Sequence, residues 1–308
     1  MTTQPPTVEP MKLGGLNLEE GDQLQVGNSY IFYGSPGSGK THLAAEPLRY
    51  ADFRTLFIIT DGNADATLSQ FPQERLLRVR VQRFAFDNGK GKVLVNNDAF
   101  GQYCDVIDGV HADWAKREIG HVVIDSGTTV GDFTMDYVLL NNKVKGRLNP
   151  LDPIHSSPEI QHYGHQIRML MADLAAKWEL FSKNTGCSVV AIFHSRTVEH
   201  AKTHAMYTAP SLTSSAALTI GKDYEEMYYL EQYREGGQIH PDRPPDGANP
   251  AARSSWRLLT RGHDSLIAKT TINSLPDVLT GERLSFRYIQ EERERFNEAK
   301  RKERRTTK

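Results

Sequence analysis

Apolar residues follow two alternating rhythms along this chain. The runs 30–33, 55–60, 121–124 and 188–193 are continuous and rich in β-branched or aromatic side chains, which predicts strands buried on both faces. Between them apolar positions recur at spacings of three and four. Phe100, Tyr103, Val106, Ile107, Val110 and Trp114 form one such series, and Ile160, Tyr163, Ile167, Leu170, Leu174, Trp178 and Phe181 another. Each predicts a helix with one buried face. Strand alternating with helix predicts an α/β fold in which helices flank a mainly parallel sheet. Asn88-Gly89, between residues 78–86 and 92–95, predicts an inserted hairpin. Residues 141–158, 195–210 and 236–250, polar or proline-rich, read as loops.

The 308 residues suit one large domain, and the net charge of −1 gives no general attraction for polyanions, so a nucleic-acid site must be argued locally. No apolar run approaches the roughly 18 residues of a membrane span, so no membrane partner is expected. Two cysteines, Cys104 and Cys187, lie far apart and form neither a disulfide framework nor a zinc ribbon. Residues 1–23 read as a flexible leader without secretory features, residues 24–289 as one domain, and residues 290–308 as a charged tail. A cytoplasmic location is the expectation.

The sharpest chemistry follows the first strand. Gly34-Ser35-Pro36-Gly37-Ser38-Gly39-Lys40-Thr41, with His42 next, has the spacing of a phosphate-binding loop between strand and helix. Glycines let backbone N–H groups converge on phosphate oxygens at the helix N-terminus. Lys40 brings a positive charge to the β- and γ-phosphates, and the Thr41 hydroxyl is a ligand for Mg²⁺. ATP and Mg²⁺ are therefore the expected ligands. Pro47 should break or kink the helix about two turns in, since it lacks an N–H. The run 121–124 ends in Asp125, the Walker B arrangement for holding Mg²⁺. Alone, Asp125 would equally well cap a turn.

The run 55–60 likewise ends in a carboxylate, Asp61, and here the chain resembles the RecA-like ATPases, in which an acidic residue at that strand end orients the attacking water. Those proteins usually carry Glu, so Asp61 is either the base or a turn residue. Ser126 stands where an AAA+ ATPase would carry its catalytic Glu. His194, ending the run 188–193, takes the place of a γ-phosphate sensor that opens a DNA-binding loop. More narrowly, the chain is similar to phage-type RecA-like P-loop ATPases, including the RecA-related branch of the Sak single-strand annealing proteins. The carrying marks are His162-Tyr163-Gly164, Ile192-Phe193-His194, Pro210-Ser211-Leu212, residues 224–230, and Ile267-Ala268-Lys269.

This resemblance implies a RecA-like core, DNA-stimulated ATP hydrolysis, and work on single-stranded DNA in phage-type recombination or replication, in a host cell's cytoplasm. It further implies a homo-oligomer, ring or filament, with a single-strand binding protein as a possible partner. Lys269 resembles half of a Lys-x-Lys pair that reaches a neighbouring subunit's ATP; Thr271 replaces the second lysine. For DNA, Lys143, Lys145 and Arg147 in one loop and Arg196, Lys202 and Tyr207 in another offer phosphate contacts and a stacking ring. A solvated loop is the alternative for these residues. Other readings of the chain are a nucleotide kinase, a nucleotide-gated DNA-binding module with negligible turnover, and a zinc site from His194, His200 and His204.

Overall fold

The computed structural model describes residues 12–13, 16–17, 28–61, 64–84, 99–141, 160–200, 203–234, 254–263 and 265–306. Short strands β1 (Lys12–Leu13) and β2 (Leu16–Asn17) pair with each other. Each predicted apolar run becomes a strand of the main sheet: β3 (Asn28–Gly34), β4 (Arg54–Ile59), β6 (Ile119–Asp125) and β7 (Ser188–Glu199). They are joined by β5 (Val79–Arg83), β8 (Met206–Pro210), β9 (Glu226–Arg234), β10 (Ser254–Leu259) and β11 (Val278–Thr280). The order across the sheet is β11-β10-β9-β3-β7-β6-β4-β5. From β9 to β5 every neighbouring pair is parallel, while β10 and β11 are antiparallel additions. The result is the α/β architecture with a mainly parallel sheet that the alternation predicts.

The strands read as continuous apolar runs because both faces are covered. Ile31, Tyr33, Val122, Ile124, Val189 and Phe193 pack against Tyr103, Ile107, Leu174, Trp178 and Phe181 on one face. These partners come from α4 (Ala99–Asp113), α7 (Lys177–Thr185) and the π-helical turns 170–176 that join α7 to α6 (Ile160–Met169). Tyr30, Phe32, Val123 and Val190 face the other way, against Leu43, Ala44, Leu68, Phe286 and Ile289. Those belong to α1 (Lys40–Ala45), α2 (Ala64–Leu68) and α9 (Phe286–Thr306). Helix α1 gives way to a 3-10 turn over Glu46–Arg49, which accommodates Pro47. Helices α3 (Gln73–Leu76), α5 (Gly127–Asn141) and α8 (Ser214–Thr219) complete the described elements.

Two expectations change. Residues 195–210 form a hairpin, β7 continuing antiparallel into β8 with Ser195 opposite Pro210, rather than a loop. Residues 290–306 are the body of α9 rather than a separate tail. Arg293 of α9 is buried and paired with buried Glu226 at 2.5 Å. Glu226 also accepts from Tyr228 Oη at 2.7 Å and Thr271 Oγ1 at 2.6 Å, so both oxygens of the buried carboxylate are partnered. The hairpin expected around Asn88-Gly89 and the loops 142–159 and 235–253 lie outside the described residues, although β5 itself pairs parallel to β4.

His121 ties the sheet to α1. Its Nε2 lies 2.8 Å from the Ala44 carbonyl and its Nδ1 2.5 Å from Ser188 Oγ, and burial pushes its pKa down to about 4 from 6.5. The folded state therefore binds this proton more weakly than the unfolded chain. The stability contribution is complete above pH 6.5 and is lost progressively as pH falls towards 4, by up to about 3 kcal/mol. Urea unfolding at pH 7 and pH 5 should show this loss, and His121→Gln should flatten it. An equal loss in both proteins would remove His121 as the cause.

Candidate functional site

The C-terminal ends of β3, β4 and β6 lie along one edge of the sheet, level with His194 within β7, where open α/β folds bind ligands. A cleft of 780 Å³ opens there, lined by Pro36 to Leu43, with Asp61, Asp125 and His194. Gly34, Ser35 and the rest of the loop leave β3 and turn into α1 at Gly39, which takes a left-handed φ of 84°. Gly34 approaches the next strand so closely that a Cβ would meet the Leu230 carbonyl oxygen at 2.0 Å. Both positions therefore require glycine.

Lys40 is buried, and its ammonium donates to the Gly34 carbonyl at 2.9 Å, the Ser35 carbonyl at 2.7 Å and Ser38 Oγ at 3.2 Å. Burial lowers its pKa to about 8, opposed by the charges of Asp125 and Asp61. The Thr41 hydroxyl donates to Asp125 Oδ2 at 2.7 Å. Burial raises the Asp125 carboxyl to about 6, against the Thr41 hydrogen bond. Two oxygen donors thus meet at the mouth of the helix, a set suited to a hard divalent cation such as Mg²⁺.

The ends of β4 and β6 are locked together. Thr60 N–H donates to the Asp125 carbonyl at 2.8 Å, Ser126 N–H donates to Thr60 Oγ1 at 2.8 Å, and Thr60 Oγ1 donates to the Ser126 carbonyl at 2.8 Å. Asp61 follows directly, and its Oδ2 lies 3.8 Å from His194 Nε2. The backbone N–H of His194 donates to Thr128 Oγ1 at 3.0 Å. The structure therefore brings Lys40, Thr41, Asp61, Asp125 and His194 into one cleft. His42 also lines it, with Arg49 Nη2 3.0 Å from its Nε2 and its ring 5.5 Å from Phe71. Burial, then the Arg49 charge, lowers the His42 pKa.

Other predicted residues lie elsewhere. Lys269 pairs through its backbone with Met227, which is opposite Ile31, so it is set back along the strands from the phosphate loop. Its surroundings include the charges of Glu225, Glu226, Glu179 and Asp223, while burial lowers its pKa. Arg196 and Tyr207 lie on the β7–β8 hairpin; Arg196 donates to the Leu212 carbonyl at 3.0 Å, and Tyr207 packs partly against the core. Lys143, Lys145, Arg147 and Lys202 are outside the described residues. A zinc site is not supported: among the described residues no group of three metal-ligating side chains comes together. Among them too, no helix is long and apolar enough to cross a membrane. The cleft also has walls that the motifs do not reveal: Glu46, Arg49, Thr67, Gln70, Leu230, Trp256 and Leu284. Only Glu46 and Arg49 were within reach of sequence, since they continue the His42 face at spacings of four and three.

These features define an α/β domain with a phosphate-binding loop at the edge of its parallel sheet. No family model and no curated protein matches the chain. Solved structures to which it is similar include the RadB recombinase, at 14% identity over 77% of this chain and 81% of that one, with a TM-score of 0.38. A KaiC-like protein from Pyrococcus horikoshii is similar at 12% identity over 89% of this chain and 100% of that one, with a TM-score of 0.37. An ATPase from the type III secretion system of pathogenic bacteria is similar at 13% identity over 68% of this chain, TM-score 0.38; the chain spans 54% of its length.

Proposed function

We propose that this chain is a RecA-type P-loop ATPase whose Mg-ATP site controls binding to single-stranded DNA in phage-type recombination or replication. The carrying observation is the continuity of β7, which runs from within the sheet through His194 into the β7–β8 hairpin. Ser211 N–H donates back to the His194 carbonyl at 2.7 Å, tying the hairpin's return to the same residue. A shift of His194 on nucleotide binding is thereby transmitted along one strand to an exposed element.

In this reading the loop N–H groups and Lys40 bind the phosphates, and Thr41 and Asp125 would hold Mg²⁺, which would supply positive charge against the phosphates. Asp61 accepts the proton of the attacking water, and His194 senses the terminal phosphate. Arg196 and Tyr207 on the hairpin, together with Lys202, Lys143, Lys145 and Arg147, contact DNA. Lys269 acts in trans, across a subunit interface of a homo-oligomer, because in its own chain it stands apart from the cleft.

The test is ATP turnover with single-stranded, duplex and no DNA. Single-stranded DNA should raise the rate several-fold, and shortening the hairpin between Thr197 and Thr208 should remove the stimulation while preserving Mg-ATP affinity. A rate indifferent to DNA, together with no binding of single strands, overturns the DNA assignment. The trans role predicts that inactive Lys269→Ala and Lys40→Ala subunits recover part of the activity when mixed; no recovery in co-assembled mixtures removes it.

A further inference from the structure

The geometry points to a nucleoside site at the β9–β10 end of the cleft, where Trp256 stacks on a purine base. This deepens the ATP reading and rests on it. Asp61 and Asp125 stand at the ends of β4 and β6, and His194 within β7 is level with Gly34 at the end of β3, so the terminal phosphate and its metal face that side of the phosphate loop. The loop leaves β3, which lies between β7 and β9 in the sheet. A triphosphate lying across it with its γ end towards β7 directs its nucleoside towards β9 and β10. At that end the lining turns from carboxylates to Leu230, Trp256 and Leu284.

Strand register places the indole. Leu230 pairs with Leu258 and Gln232 with Trp256, so Trp256 shares a sheet face with Leu258, one step further towards the loop edge. Leu258 belongs to the core that also holds Leu43 and Ala44 of α1, so Trp256 is on the helix side of the sheet. A Cβ on Gly39 would lie 3.9 Å from Leu230 Cδ2, so the apolar strip begins at the phosphate loop itself. Among the described residues the opposite end offers no indole, phenol or phenyl ring to the cleft: Thr67 and Gln70 follow Asp61 on the γ side, the His42 imidazole is held against Arg49, and Phe71 is buried with Arg49 over its face at 5.3 Å.

Trp256 is half-buried, whereas Trp178 is fully buried and Trp114 packs against the core of the other sheet face. Leu230 and Leu284 carry no hydrogen-bonding side-chain groups. Among the described residues, this end therefore reads the face of a base rather than its edge, and the larger π-surface of a purine gains most.

Because the chain has three tryptophans and one borders the cleft, emission reports the site directly. Mg-ATP should quench the emission, Mg-tripolyphosphate should not, and Trp256→Phe should lose the response while keeping ATP affinity within a few-fold. Trp256→Ala should weaken ATP about 10-fold or more, the usual loss for a base–aromatic stack, and leave tripolyphosphate affinity unchanged by calorimetry. If Trp256→Ala binds ATP like the wild type while Lys40→Ala does not, the nucleoside lies elsewhere and the phosphate site stands. Equal weakening of ATP and tripolyphosphate makes the role of Trp256 structural and also overturns the stack. Failure of the wild-type protein to bind Mg-ATP at all would instead bring down the ATP reading.

Discussion

Lys40→Ala should lose ATP affinity by about 100-fold or more and still fold. Among the described residues the ammonium's hydrogen bonds stay within its own loop, to Gly34, Ser35 and Ser38, at the edge of a cleft that water can enter. Its removal opens no apolar cavity, so the cost to stability is small. Its contacts to phosphate are charge-assisted, each worth roughly 1.5–3 kcal/mol, and two of them give the expected loss. The lowered pKa of about 8 describes the lysine without an anion; phosphate oxygens beside it favour the charged form, so binding above pH 8 takes up a proton and weakens as pH rises. Calorimetry on a variant with an unchanged unfolding midpoint decides the matter. Wild-type affinity in that folded variant excludes Lys40 from the site.

Asp61→Asn should retain Mg-ATP affinity and turn over at least ~100-fold more slowly, because a carboxamide can hold a water molecule but cannot accept its proton. The carboxylate stands 3.8 Å from His194 and follows Thr60, whose hydrogen bonds to Asp125 and Ser126 lock the strand ends. The substitution preserves size and leaves that lock intact, so a slow variant reports chemistry rather than collapse. Asp125→Asn is the contrasting control: it should weaken the dependence on Mg²⁺, since it removes charge from the oxygen paired with Thr41. An Asp61→Asn enzyme that works at the wild-type rate places the base elsewhere.

The central strands and the phosphate loop were legible because their causes are local. A strand covered on both faces is apolar wherever its side chains find no polar partner, and 30–33, 122–124 and 189–193 are apolar throughout, while buried His121 and Ser188 satisfy each other. The loop needs glycine where backbone turns left-handed, as at Gly39, and where another strand presses close, as at Gly34. Asp61, Asp125 and His194 were found for a related reason: a polar residue ending a buried run stands at the sheet's edge, where parallel strands share one side. The hairpin after His194 was hidden because β7 there extends past the covered part of the sheet. Arg196, Thr197 and Glu199 are exposed, and Val198 alone is buried among them, so composition resembled a loop.

Sequence alone determined the parallel core, the glycine-rich loop after β3 and the carboxylates beside it, since each follows from neighbouring residues or from burial along a single strand. Tertiary structure decided the rest. The charge run after residue 290 reads as solvated until Glu226, far away in sequence, supplies the buried partner that lets Arg293 enter the core. Trp256 stands in no motif and no predicted element, and the order β10-β9-β3 carries it to the cleft. In both cases the deciding neighbour is distant along the chain, and only sheet order and register bring it close.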